Sequence, residues 1–284
     1  MPILLFCDRV KVFTRRWRRG ALAVILGCSV AWTHAKEVTF VTLEYPPFAS
    51  ESMAGGGGVI RLLRGALEGS DWQPKVVFLP WARARIEVAA GHADGVLPLW
   101  PQEVIDFGVT PTQAVFESKL GFYVRRSEYP QREVAIDRMQ GQSVCTVRAY
   151  GYPPIFVDSG VKRDEAGDDE ASLKKLAARR CDYAVMERSV GEYLLSRKKP
   201  WRLDAPVQWK GPAFATLPLY IGVVPGRPDS ARLLSDIEAG ISRMKKDRRF
   251  KVQVDEFFLD VPDGATNNLD ASGALVRRVL LLVL

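Results

Sequence analysis

Residues 38–43 read Val-Thr-Phe-Val-Thr-Leu, an apolar and β-branched stretch of strand length, and after four consecutive glycines at 55–58 the apolar positions of 59–67 recur at helical spacing. The succession repeats at once: a strand is predicted over 75–79, a helix over 81–90 and a short strand over 95–97. Strand and helix in regular alternation predict βαβ units and a mostly parallel sheet. The pattern then restarts with strands at 120–124 and 143–147, a helix at 171–180 with a basic outer face, and a strand at 182–186. A last strand at 220–224 and a helix at 230–246 complete the periodic part. Thr110-Pro111-Thr112 and the segment from Gly211 to Thr216 punctuate the two series, so the chain is expected to cross twice between two α/β lobes. Residues 36–110 with 215–262 then form the first lobe and 111–214 the second.

The two ends follow other rules. Arg15-Arg16-Trp17-Arg18-Arg19 precedes an apolar run from Ala21 to Val30, and Thr33 and Ala35 supply the small side chains of a cut after Ala35. A cationic start, a short apolar core and small residues at the cut are what a secretory signal peptide needs, so 1–35 is read as a leader and the mature protein as periplasmic. The run is shorter than the ~20 apolar residues that span a bilayer. Two variants stand beside this reading: Ile25-Leu26-Gly27-Cys28 as a lipoprotein box with a lipid anchor at Cys28, and Thr14-Arg15-Arg16 as a weak twin-arginine start. At the other end, 263–284 reads as a linker followed by an aliphatic stretch too short to span a membrane, a disordered tail without function.

The 284 residues carry a formal charge of +7. Six basic side chains and one acid lie in 1–35, which leaves +2 for everything after the leader. The basic excess therefore belongs to the leader, and nucleic acid is excluded as a partner. Of four cysteines, Cys7 and Cys28 are in the leader; Cys145 and Cys181 remain, a pair that suggests a disulfide in an oxidising compartment, with two buried thiols as the alternative. Two cysteines and the single histidine left, His92, make no zinc site. Gly55 to Gly58 lack the Lys-Ser/Thr of a nucleotide loop, and no Ser/His/Asp set is evident. No cofactor is expected.

Four clusters lie at predicted strand ends: Thr42-Leu43-Glu44-Tyr45-Pro46-Pro47-Phe48; Leu79-Pro80-Trp81-Ala82-Arg83-Ala84-Arg85 with Gly91-His92-Ala93-Asp94-Gly95; Thr146-Val147-Arg148-Ala149-Tyr150-Gly151; and Arg179-Arg180-Cys181-Asp182 running into Val185-Met186-Glu187. In open α/β sheets ligands sit outside the carboxyl ends of strands, which is where these clusters fall. In order and spacing they resemble the bacterial extracellular solute-binding proteins of family 3, the polar amino-acid type, over roughly 37–260. The resemblance implies an α/β fold of the two-lobed, type II periplasmic-binding-protein kind, with two mostly parallel sheets joined by a double-crossover hinge. It also sets the strand of Cys145 beside the one that begins after Cys181, close enough for a bridge.

On that basis Tyr45, Trp81, Trp100 and Tyr150 are expected to line a cleft, their rings able to hold an aliphatic body or a cation, with ordinary core packing as the alternative for Tyr45 and Trp81. Arg83 and Arg148 are candidate partners for a ligand carboxylate, because a guanidinium offers two parallel donors; a solvated surface arginine is the alternative. Glu187 stands where the resemblance implies an acid for a ligand ammonium, or else caps a helix. One departure is plain: after Asp94 the stretch Leu97 to Phe107 holds no arginine, where amino-acid binders carry their carboxylate clamp. The expected function is thus extracytoplasmic binding of a small polar solute, an amino acid or a related amine or organic acid, by a monomer that serves a membrane permease of the ABC type or a sensor and has no catalytic residues. Two other readings are a dehydratase-like enzyme with Glu187 or Glu44 as its acid, and a sensor or interaction module without a transport role.

Overall fold

The computed structural model describes residues 35–128, 134–196 and 205–247. The leader, all but Ala35, and the expected tail at 263–284 lie outside the described residues.

Strand β1 (Lys36–Thr42) buries Val38, Phe40 and Val41. Apolar on both faces, it takes an inner place in the sheet, parallel to β2 (Trp72–Phe78) on one side and to β3 (Gly95–Leu99) on the other. Helices α1 (Gly58–Ala66) and α2 (Trp81–Ala89) are the crossovers that such parallel pairing requires. The short helix α3 (Pro101–Phe107) follows β3, and the two-residue strand β4 (Thr110–Pro111) leads out of this half.

Strand β5 (Phe116–Arg125) enters the second half, where β6 (Ser143–Val147) runs parallel to both β7 (Lys162–Ala166) and β8 (Tyr183–Glu187). Helices α4 (Pro154–Val157), α5 (Asp169–Ala177) and α6 (Arg188–Ser196) accompany them. Strand β7, Lys-Arg-Asp-Glu-Ala, ends the strand order and is largely exposed. Charge on an edge strand keeps that edge from pairing with other chains.

The long strand β9 (Val207–Val223) joins the halves. Its first part pairs antiparallel with β5, from Arg125↔Val207 onward, and its last part pairs antiparallel with β3 and β4. The strand order is β2-β1-β3-β9-β5-β8-β6-β7, with β4 beside β9. Each half therefore has a parallel core of three strands, and the antiparallel strands sit where the halves meet. The segment from Gly211 to Thr216, expected as a crossing point between the lobes, lies within β9, which runs on from β5 to β3.

Helix α7 (Ser230–Lys246) buries Leu233, Ile237, Gly240, Ile241 and Met244, one helical stripe, and packs against α1. At Gly240 the helices touch: a Cβ there would stand 1.9 Å from the Ala66 carbonyl oxygen. In the second half Cys145 and Cys181 form a disulfide, with their Cα atoms 5.7 Å apart. Beside it the buried Arg125 guanidinium donates to the Leu176 and Cys181 carbonyl oxygens at 2.8 and 2.6 Å and pairs with Glu128. Among the described residues no helix is long and apolar enough to cross a membrane.

Candidate functional site

The chain leaves the carboxyl ends of β1, β2, β3 and β6 toward one region, and the side chains there come from both halves. Trp81 opens α2 directly after Pro80, and Trp100 is the residue before α3. Pro101 at the first helical position and Glu103 at the third fix the start of α3: the Glu103 Oε2 atom accepts the Trp100 backbone N–H at 2.8 Å. Its other oxygen, Oε1, accepts the Trp81 indole N–H at 2.9 Å and the Gly151 backbone N–H at 3.2 Å. One buried carboxylate thus joins α2, the start of α3 and the loop after β6 in the second half.

That last contact is close. A Cβ on Gly151 would lie 2.5 Å from Glu103 Cγ and 2.9 Å from the Glu103 nitrogen, so only glycine lets the loop approach α3 this far.

Around Glu103 lies an aromatic cluster. Tyr150 stands nearly perpendicular to Tyr45, Trp81 and Trp100, with centroid separations of 6.2, 6.5 and 5.4 Å. Perpendicular rings place a positively polarised edge against a π face. Tyr152 adds a contact to Trp100 at 5.8 Å, and its hydroxyl accepts the Val147 N–H at 2.9 Å. The Trp100 indole donates to the buried Ser118 hydroxyl on β5 at 3.1 Å, and the Tyr150 hydroxyl donates to Asp169 Oδ2 at 2.7 Å. Tyr45, Trp81, Trp100, Glu103 and Tyr150 line a small pocket open to solvent, about 210 Å³ only when the solvent at its mouth is counted. Leu43, Pro98 and Leu219 supply its aliphatic remainder.

The electrostatics are one-sided. Burial pushes the Glu103 carboxyl up to about 7 against the N–H donors of Trp100, Gly151 and Trp81, which pull it down. Burial likewise raises Asp169 to about 7 and Glu187 to about 8. Tyr45 is pushed well above its ordinary range by burial first, then by the nearby charges of Glu187 and Asp169, with Ser118 acting against the shift. The Tyr45 hydroxyl and Asp169 Oδ1 are buried without a well-formed hydrogen bond.

Of the residues singled out in the sequence, Tyr45, Trp81, Trp100 and Tyr150 come together here. Arg83 and Arg148 do not line the cavity. Each is exposed and held at the surface by an acid, Arg83 by Glu87 one helical turn on and Arg148 by Glu165 on the paired strand. Glu187 does not line it either: its carboxylate accepts the Val190 N–H at 2.8 Å and the Lys119 N–H at 3.3 Å, so it caps α6 and ties it to β5. Glu103, Asp169 and Ser118 were not singled out. For Glu103 the signal was present in Pro101 followed two residues later by an acid, a helix-start pattern. Among the described residues no three side chains gather as metal ligands.

No protein-family model matches this chain, and no curated protein sequence matches it. Solved structures do. A histidine kinase sensor domain with similarity to periplasmic binding proteins aligns with TM-score 0.68 and 17% identity, over 79% of this chain and 96% of that one. The GluR0 ligand-binding core from Nostoc punctiforme, in complex with L-glutamate, aligns with TM-score 0.64 and 16% identity, over 78% and 99%. An ancestral arginine-binding protein bound to arginine gives 0.64 and 18%, over 79% and 100%. At these identities the likeness is one of fold: this chain has the two-lobed periplasmic-binding-protein architecture.

Proposed function

We propose that this protein is an extracytoplasmic solute-binding protein whose two lobes close over a small polar molecule and present it to a membrane partner, an ABC-type permease, without chemical turnover. The observation that carries this is the composition of the site's walls. Tyr45, Trp81, Trp100 and Glu103 come from the first half and Tyr150 and Tyr152 from the second, with Glu103 bonded across to Gly151. A solute held between such walls contacts both halves only when they are together, so its binding shifts the population toward the closed form. The hinge strands β5 and β9 give the halves an axis on which to move. The glutamate- and arginine-bound structures of the same fold support a polar solute for this one. The sensor-domain neighbour favours a second reading, in which the closed form signals to a membrane kinase rather than to a permease.

The leader assigns the protein to the periplasm, and N-terminal sequencing of the exported chain tests this: cleavage after Ala35 is expected, a lipid-modified Cys28 being the other outcome. The binding reading itself is tested by calorimetry against amines, amino acids and organic acids, together with solution scattering. One compound that both binds and compacts the protein is expected; binding by none, with an unchanging scattering profile, contradicts the reading.

A further inference from the structure

The walls of the cavity also bear on what it takes. Among the described residues its only charged side chain is an acid, Glu103; the remainder is aromatic or aliphatic, and no guanidinium or ammonium lines it. Arg83 and Arg148 are spent on Glu87 and Glu165 at the surface. The titratable groups behind the site are acids too: Glu187 and Asp169 both raise the buried Tyr45 hydroxyl, and Glu103 acts on it in the same sense. An anionic ligand would push the ionisation of these buried acids further out of reach, and among the described residues that line the cavity no cation stands to offset its charge. A cation meets the opposite situation, since π faces and a fixed carboxylate both attract it and grow stronger as water is excluded.

Resting on the solute-capture reading above, we propose that the ligand is a compact organic ammonium without a carboxylate, its cationic head held against the rings of Tyr45, Trp81, Trp100 and Tyr150 with Glu103 as counter-ion. Three features make the site suited to this. Glu103 is held in place by three N–H donors, so it needs no reorganisation to receive a positive charge. Tyr150, the one wall from the second half that reaches all three rings of the first, closes the cage only when the lobes meet. The Tyr45 hydroxyl, on the cavity wall and buried without a well-formed hydrogen bond, keeps a lone pair for an N–H from an ammonium that carries one.

The test uses the exported full chain and named probes: choline and ethanolamine as cations, 3,3-dimethylbutan-1-ol as the neutral isostere of choline, and L-glutamate and glutarate as carboxylates. Calorimetry is expected to show at least one cation binding at least about tenfold more tightly than the neutral alcohol, and the carboxylates not binding. Choline over ethanolamine would mark the rings as the main contact, and the reverse would mark the Tyr45 hydroxyl. Glu103→Gln keeps the shape and an acceptor oxygen, and is expected to weaken cation binding tenfold or more while leaving the alcohol unchanged. Tyr45→Phe, which removes only the hydroxyl, is expected to weaken ethanolamine more than choline, and covers the case of a Glu103→Gln chain that fails to fold. Tight binding of L-glutamate or glutarate with no binding of the cations overturns the ligand class and leaves solute capture standing. Binding by none of the five, with no compaction in scattering, overturns both.

Discussion

Glu103 concentrates what is unusual about this molecule at the scale of one residue. A carboxylate buried among tryptophan and tyrosine rings costs several kcal/mol unless it is well bonded, and here three N–H groups satisfy it without removing the penalty. The sign of its pH effect follows. A carboxyl whose folded pKa is raised holds a proton that the unfolded chain releases, so its stabilising balance is best at low pH and is lost as pH rises from 4.5 through about 7. Asp169 and Glu187 act in the same direction, extending the window to about 8. The ligand-free protein is therefore expected to melt at a higher temperature at pH 5 than at pH 8. In Glu103→Gln that slope is shallower, and the variant gains at most about 3 kcal/mol at pH 8. Thermal melts across pH check both; a wild-type melting temperature that rises from pH 5 to pH 8 contradicts the assignment of these groups as buried acids. The residue scale is also where sequence reading reached least far. Tyr45, Trp81, Trp100 and Tyr150 stood out because rings at strand ends can be placed from the strand pattern alone. Arginines cannot be placed that way: the long stems of Arg83 and Arg148 carry their heads to Glu87 and Glu165, and nothing in the spacing of the chain fixed that direction.

Among the elements, the close approaches are what a substitution exposes. Gly151→Ala puts a methyl group 2.5 Å from Glu103 Cγ, at a point where the two halves meet. The expected result is a normally folded protein that favours the open form, with a larger radius of gyration and ligand binding weakened about tenfold or more; unchanged scattering and affinity contradict the cross-lobe role of this contact. Gly240→Ala meets backbone rather than a side chain, 1.9 Å from the Ala66 carbonyl oxygen, so α7 must lift away from α1. Overpacking of this kind costs about 1–3 kcal/mol or more, measured by denaturant unfolding. The disulfide closes 36 residues around α4, β7 and α5, and chain entropy sets its worth at about 4 kcal/mol; the double variant Cys145→Ser, Cys181→Ser is expected to lose up to that amount and to keep its binding site. Periodic elements were the legible ones: β6 and α7 have the bounds expected from the sequence. The charged edge strand β7 gave no hydrophobic signal, because one side of it has no strand to meet. The Gly-Pro step at 211–212 marked a crossing point in the sequence, and β9 carries the crossing as strand, its pairing with β5 taking up a register shift there.

At the scale of the whole molecule, one strand order runs across both halves, and the shared strand β9 joins them where a linker would otherwise stand. This explains why the fold was readable from two restarts of a strand-helix pattern while the site was not: the site is made by bringing strand ends of one half against a loop of the other, and their sequence separation hides that meeting. It also sets the most direct test of the account. Ile105 on α3 and Val157 on α4 are exposed and lie in different halves. Spin labels at these two positions report the distance between lobes by pulsed electron resonance, with the native disulfide left intact. Without ligand the account predicts a broad or two-component distribution, and with a saturating compound that calorimetry shows to bind, a single population at its short end. A single distance that such a compound leaves unmoved would contradict the claim that this protein works by closing.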